Sequence, residues 1–456
     1  MISTPPTRRA SLTRAKGLLG LFGTLALAAA SGARADTSAP APNDTLIWAV
    51  HGQATVVEQA TIAFPSPYRG ANSLDPGTRG RETFDATLYA GLRPWRGAEL
   101  WINPEIDQGF GLSDTLGAAG FPSGEAYKVG KRDPYLRLQR VFLRQTINLG
   151  GEEKAVEADI NQMAGHQTEN RLVITIGKMG VGDIFDTNKY AHDPRADFLN
   201  WTLIDTGTFD YAADAWGYSV GAAAEWYQGR WTLRAGGYDL SIVPNSEHLD
   251  GRFGQFQLIG EIEERHELAG HPGKLAVTGF LTRGRMGLYD QAIALGAATN
   301  QTPSTAAVRD YRNRGGVSLN LEQELRPGLG LFARAGVAGG DAEAYEFTDV
   351  DRTFAMGLSL DGRGWGRSND TVGLGAVING VSSIHKAYLA AGGVGILVGD
   401  GRLPHASAEE AVEVYYSAAL TPAVSLSLDG QVIDHPGYNA DRGPAPVVAV
   451  RLHTHF

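Results

Sequence analysis

The sequence predicts an all-β fold, a transmembrane, antiparallel, up-and-down β-barrel of sixteen strands, and three observations lead there. The first is the closing stretch, Pro446 to Phe456. Val448, Val450, Leu452, Thr454 and Phe456 fall on one face, Arg451, His453 and His455 on the other. That period of two describes a strand with one greasy and one wet side. Roughly 10 residues is also what a tilted strand needs to cross a bilayer, and membrane strands cannot leave an open edge, so they close into a barrel. An edge strand of a soluble sandwich would alternate in the same way. The second observation separates the two. Arg8, Arg9, Arg14 and Lys16 precede an apolar run from Gly17 to Ala30 and a small-x-small site at Ala33-Arg34-Ala35, the pattern of a secretory signal peptide over residues 1–35. Beyond it nothing resembles a transmembrane helix: the longest apolar stretch, Ala387 to Val398, is short and interrupted by Gly392, Gly393 and Gly395. The third observation is the spacing of the alternating runs, which short turns and long polar loops separate by turns.

Composition agrees. Lys and Arg number 40 against 50 Asp and Glu, and the signal peptide removes five of the basic residues and none of the acidic ones. So acidic a mature chain, residues 36–456, argues against a nucleic-acid partner. Cysteine is absent, as suits an oxidising compartment without disulfides. The 59 glycines and a mean hydropathy of −0.18 fit a wall in which lipid-facing and water-facing residues take turns.

The strands follow in order. Leu46 to Gln59 is the first, then a Pro- and Gly-rich loop. Thr83 to Leu92, with Phe84, Ala86, Leu88, Ala90 and Leu92 outward, turns at Pro94-Trp95-Arg96-Gly97 into Ala98 to Ile106, where Glu99, Trp101, Asn103 and Glu105 share the other face. A Gly-rich stretch, Asp107 to Tyr135, leads to Leu136 to Leu149, which carries Arg140 and Arg144 on one face. Gly150 to Asn170 reads as an elaborated turn. Arg171 to Met179 is strongly β, and Asp183 to Trp216 loses all alternation. Gly217 to Tyr227, Arg230 to Leu240, Gln255 to Glu267 and Lys274 to Met286 follow, then a long polar loop, Gly287 to Arg312. The remaining runs are Arg314 to Leu325, Leu329 to Gly339, Arg352 to Asp361, Thr371 to Asn379, Glu409 to Leu420, Val424 to Asp434 and the terminal strand; Ile384 to Ala391 reads as a helical turn inside a loop. With both termini at the short-turn end, the number of strands must be even, and sixteen closes the alternation of turns and loops. Counting Val156 to Gly165 and a run near Gly392 to Asp400 as strands would give eighteen. No linker divides the mature chain, so residues 36–456 read as one domain.

Several motifs carry a family resemblance. Trp95-Arg96-Gly97-Ala98-Glu99-Leu100, Asn103-Pro104-Glu105, Ala119-Gly120-Phe121-Pro122, Asp183-Ile184-Phe185-Asp186 with Asn188 and Tyr190, Asp193-Pro194-Arg195, Asn200-Trp201, Trp365-Gly366-Arg367, Gly399-Asp400-Gly401 and Tyr438-Asn439-x-Asp441-Arg442-Gly443-Pro444 resemble the carbohydrate-selective porin family of the OprB type. The resemblance spans nearly the whole mature chain. It implies passive diffusion of sugars, glucose and similar mono- or oligosaccharides, through a Gram-negative outer membrane, in a barrel narrowed by loops folded into its lumen. It also implies contact with outer-membrane lipid and lipopolysaccharide. The terminal Phe456 resembles the signal by which outer-membrane barrels address their assembly machinery. Monomer and homotrimer both remain open.

A passive pore selects by diameter and by the donors and acceptors on its wall. Neutral sugars offer hydroxyls to charged and amide groups and ring faces to aromatics. The third long loop supplies both kinds in Asp183, Asp186, Asn188, Asp193, Arg195, Asn200 and Trp201, and Arg140, Arg144, Glu99 and Trp101 are the expected facing wall. Most lumen charges of a porin are only solvated wall, which is the plainer reading of any one of them. Asp183, Asp186 and Asn188 resemble calcium ligands, but the mid-loop Gly and closing Glu of a calcium loop are missing, so neither metal nor cofactor is expected. Trp95, Trp226 and Trp231, near turns, suit an interfacial girdle. An outer-membrane enzyme is disfavoured because Gly-x-Ser-x-Gly does not occur and the 11 histidines show no triad or zinc spacing. A plugged receptor lacks room for a plug before the first strand. A general or other-specificity diffusion porin is the alternative reading; an exporter of acidic polysaccharide would want a basic lumen, whereas Glu99, Glu261, Glu263, Glu322 and Glu324 fall on predicted lumen faces.

Overall fold

The computed structural model describes residues 46–77, 80–127 and 129–456; the expected signal peptide lies outside them. Sixteen strands among the described residues pair with their sequence neighbours, all antiparallel, and β16 closes on β1. They are β1 (Trp48–Thr61), β2 (Gly80–Leu92), β3 (Ala98–Gly109), β4 (Lys131–Val156), β5 (Gly165–Met179), β6 (Ser219–Gln228), β7 (Trp231–Asp239), β8 (Phe256–Leu268), β9 (His271–Met286), β10 (Asp310–Arg326), β11 (Leu329–Ala338), β12 (Arg352–Gly362), β13 (Arg367–Gly380), β14 (Glu409–Thr421), β15 (Val424–Asp434) and β16 (Ala445–His455). Both described ends of the barrel chain lie at the short-turn end, as the count requires. Val156 and Gly165 face each other at the tip of the β4–β5 hairpin, and Gly399 makes only an isolated bridge to Asn72, so the eighteen-strand alternative is excluded.

The outward side chains are those the alternation assigns. Leu88, Ile102, Ile176, Leu258, Leu281, Leu319, Leu374, Val412 and Val450 are exposed, while their neighbours in sequence are buried or face the lumen. In water that surface would be a liability; around a barrel it forms the apolar belt that lipid covers. Trp95, Trp226 and Trp231 are exposed beside short turns, where an aromatic girdle sits. At the seam, Phe456 and Gly52 exchange backbone hydrogen bonds of 3.0 and 3.1 Å, and the Phe456 ring lies so close over Gly52 that a Cβ there would collide with it.

Several expectations need correction. Of the stretch read as an elaborated turn, Gly150 to Asn170, β4 takes the residues up to Val156 and β5 those from Gly165, which leaves 157–164 as the turn itself. β4 starts at Lys131 and not at Leu136: it tolerates Pro134 because its first residues pair with β3 only across a bulge. β10 starts at Asp310, since Asp310 to Asn313 pair with the end of β9. The connection after β9, read as polar loop, contains a helix, Tyr289–Thr299, closed by a left-handed Asn300. It buries only Tyr289, Ala292 and Gly296, so its apolar signal is thin. The helical turn in the loop after β13 is present as Ser383–Ala390, capped by the Ser382 side chain on the His385 N–H.

Candidate functional site

The β5–β6 loop, residues 180–218, folds into the barrel and most of it is buried there. It can lie inside because its backbone polar groups meet lumen-facing side chains in place of water. Glu413 on β14 accepts from the Leu199 and Asn200 N–H groups. Arg334 on β11 donates to the Leu203 and Ala191 carbonyls, both at 2.7 Å. Arg451 on β16 donates to the carbonyls of Pro194, Ala196 and Asp197. Glu261 on β8 accepts from the Asp186 N–H at 2.9 Å. Glu409, four residues before Glu413 and on the same face of β14, similarly takes the Ala119 and Gly120 N–H groups of the β3–β4 loop at 2.9 and 2.7 Å. Apolar packing completes the seat. Phe198 stacks edge-on against Tyr415 and beside Phe332, over a stretch of wall where Gly375 leaves room; a Cβ there would lie 3.0 Å from the Phe198 ring and 3.1 Å from Leu203.

On this frame the expected site residues divide. Arg140 forms a fork on Asp183, Nε to Oδ2 and Nη2 to Oδ1 at 2.7 Å each, with Tyr218 below it. The pair is reachable from the lumen, the side chains being 12% and 35% exposed. Burial would raise the Asp183 carboxyl, but Arg140 and the Gly180 N–H hold it below the usual carboxylate range. Arg144 lies directly across the ladder from Glu99 at 3.6 Å, and Glu99 also accepts from the Trp101 indole N–H at 3.0 Å. Arg195 stands among Asp85, Glu105 and Glu125 at 3.3–3.8 Å, and Asp193 beside it is exposed.

The other four have different surroundings. Asp186 is buried against Thr206, Asn320 and Arg334. Asn188 is buried on Asn320 and the Leu321 carbonyl. Asn200 caps the one-turn helix Trp201–Ile204 and reaches the Gly120 carbonyl, and Trp201 packs among Phe121, Tyr211 and Phe347. These residues shape the loop from behind. Trp101, though on the lumen face, has no exposed surface.

A bulge at Gln139 brings one further cation to the wall. The register between β3 and β4 slips there, so Arg137 and Arg140 both turn inward. Arg137 lies 3.4 Å over the Trp216 ring and shares Asp214 with Lys178. A regular alternation gives no sign of it. Within the loop, His192 has an acceptor at each ring nitrogen, the Gly182 carbonyl at 3.1 Å and Asp205 at 3.4 Å. Burial opposes its charge, but Asp205 prevails and the imidazole is pushed up to about 9. Among the described residues no group of three or more His, Asp or Glu side chains is placed to hold a metal.

The model of the family described as "Carbohydrate-selective porin, OprB family" matches residues 71–456. No curated protein sequence matches the chain. Among solved structures, the high-pH structure of Pseudomonas putida OprB is similar at 14% identity and a TM-score of 0.66, covering 90% of this chain and 94% of that one. The low-pH structure of the same protein matches at 12% and 0.49 over 90% and 93%, and the outer-membrane channel DcaP of Acinetobacter baumannii at 12% and 0.48 over 90% and 97%. With its closed sixteen-stranded barrel and inward loop, the chain belongs to the OprB family of carbohydrate-selective porins: it is a channel of the outer membrane for the diffusion of sugars and not an enzyme.

Proposed function

We propose that sugars cross this barrel through an eyelet whose working groups are the Arg140–Asp183 fork, the Arg144–Glu99 pair and Arg195 with its surrounding carboxylates and Asp193. The observation that carries the reading is the fork: a rigid guanidinium and a carboxylate, paired at 2.7 Å yet open to the lumen, offer donors and acceptors side by side. Vicinal hydroxyls of a pyranose need that combination, and a paired cation and anion favour neither sign of solute. Asp186, Asn188, Asn200, Trp201 and Trp101 contribute by holding the loop and wall in shape. Glucose and similar mono- and oligosaccharides are the proposed solutes. Titrating them against single channels of the refolded protein in a planar bilayer tests this: saturable block supports it, and open channels indifferent to sugars would leave a general porin.

The same proposal covers maturation and surroundings. Cleavage after Ala35 releases a barrel domain of residues 36–456, which N-terminal sequencing of the mature protein checks. Phe456 is read by the assembly machinery, and the apolar belt meets lipid and lipopolysaccharide. Trimeric association, as porins often show, is decided by the mass of the native protein in mild detergent.

A further inference from the structure

Most short turns of this barrel are tight, with two residues joining Gln228 to Trp231, Leu268 to His271 and Arg326 to Leu329. The β4–β5 hairpin departs from that. β3 stops pairing with β4 at Gln145, and β6 stops pairing with β5 at Arg171, so everything between belongs to a free two-stranded ribbon. Were it straight, the eleven residues from Gln145 to Val156 would carry its tip about 36 Å beyond the rim, at roughly 3.3 Å per residue. Instead the tip returns. Register shifts at Gly150, with Gly150 and Gly151 at φ of 101° and 92°, form a double bulge that only glycine accepts readily, and they bend the ribbon back.

The place to which it returns is inside the barrel. The Asn161 carbonyl takes a 2.7 Å hydrogen bond from Arg144 Nη1, and Asn161 Oδ1 takes one of 2.8 Å from Asn103. The Met163 N–H lies 3.4 Å from Glu99 Oε1, and the Ala164 carbonyl accepts from Arg93 at 2.9 Å. Met163 is 3% exposed and joins the buried cluster of Tyr89, Trp101 and Phe142. Glu99, Trp101, Asn103, Phe142 and Arg144 all face the lumen, so a segment that touches their side chains stands in the lumen. Asn161 adopts φ of 55°, a left-handed conformation that asparagine tolerates, which turns its carbonyl toward Arg144.

We propose that this ribbon is a second constriction at the periplasmic exit: its tip, Asp159 to Ala164, narrows the way out beneath the Glu99–Arg144 pair, and Asn161 is a positioning residue that fixes the Arg144 guanidinium for the departing solute. The narrowing stands on geometry alone; the effect on solute rests on the reading of Arg144 given above.

The test replaces residues 150–169 with Asn-Gly, a two-residue turn compatible with the flanking strands. No ladder to β3 or β6 is touched. Single-channel conductance of the shortened protein is expected to rise about twofold or more. Sugar block is expected to weaken about tenfold, because Arg144 loses the carbonyl that orients it. Unchanged conductance in a folded, heat-modifiable barrel overturns the constriction. Raised conductance with unchanged sugar block keeps the constriction and overturns the role of Asn161. If conductance rises but not even the native channel is blocked by sugars, the constriction stands and the sugar-binding reading of the eyelet falls. Should the shortened chain fail to fold, Asn161→Cys in the full chain serves, since the protein has no other cysteine. Complete modification by a bulky water-soluble methanethiosulfonate should lower the current by about half, and an unaltered current would refute the proposal.

Discussion

Arg140→Ala is the sharpest probe of the eyelet. The substitution removes both 2.7 Å bonds to Asp183 and leaves that carboxylate with the Gly180 N–H alone at the lumen surface. A hydrogen bond from a charged donor contributes about 1.5–3 kcal/mol, and losing one such bond to a sugar hydroxyl should raise the half-blocking sugar concentration about 10- to 100-fold. Stability should change by only about 1 kcal/mol, because the pair is open to water and Glu413, Arg334 and Arg451 still hold the loop. The charge balance supplies an independent signal: with the cation gone and Asp183 unpaired, the eyelet becomes more negative, and the reversal potential in a salt gradient should shift toward cations. Planar-bilayer recording reads both quantities, and heat-modifiability on gels confirms folding. A folded variant with the parent's half-blocking concentration and reversal potential would falsify the placement of Arg140 at the constriction.

Three further outcomes are expected. Glu413→Ala strands the buried Leu199 and Asn200 N–H groups, a cost of about 3 kcal/mol borne by the inward loop, and should appear as noisy, fluctuating open-channel current with the barrel still folded. His192 has its folded pKa raised, so its contribution is complete below about 6.5 and is lost as pH rises through about 9. Current noise should therefore grow between pH 8 and about 10 in the parent and lose that pH dependence in His192→Gln. Phe456→Ala removes the ring that covers Gly52 at the seam and should reduce the yield of assembled barrel in cells more than the stability of barrel already assembled, as pulse-chase assembly and urea titration would show.

The barrel was legible because period-two alternation is a local property, and each strand shows it within about 10 residues. That Glu99 and Arg144 share the lumen side of adjacent strands followed from the same logic, since β3 and β4 are neighbours in sequence; that they stand directly opposite each other is set by the register. What escaped was whatever depends on closure. Arg334, Glu413 and Arg451 lie far apart along the chain and converge on one loop only when the sheet is rolled up. Nothing in their immediate neighbours distinguishes them from solvated wall. Asn200 and Trp201 have the chemistry of sugar contacts, but their burial is decided by Phe121, Tyr211 and Phe347, from two other loops and their own. The bulge at Gln139 was hidden for a different reason: an inserted residue shifts parity without changing composition, so Arg137 and Arg140 look like residues of opposite faces.

The way the inward loop is held bears on how such a channel can diversify. Glu413, Arg334, Arg451 and Glu261 grip it by main-chain N–H and carbonyl groups, which every amino acid possesses, proline's missing N–H aside. Asp183 and Asp193, whose side chains reach the lumen, are not what those four residues grasp. Exchange of the Asp183 or Asp193 side chain therefore leaves those four grips in place. A lineage can retune which molecules it admits by point substitution, one position at a time, without passing through variants whose loop has come adrift, and an engineer redesigning the filter can follow the same route.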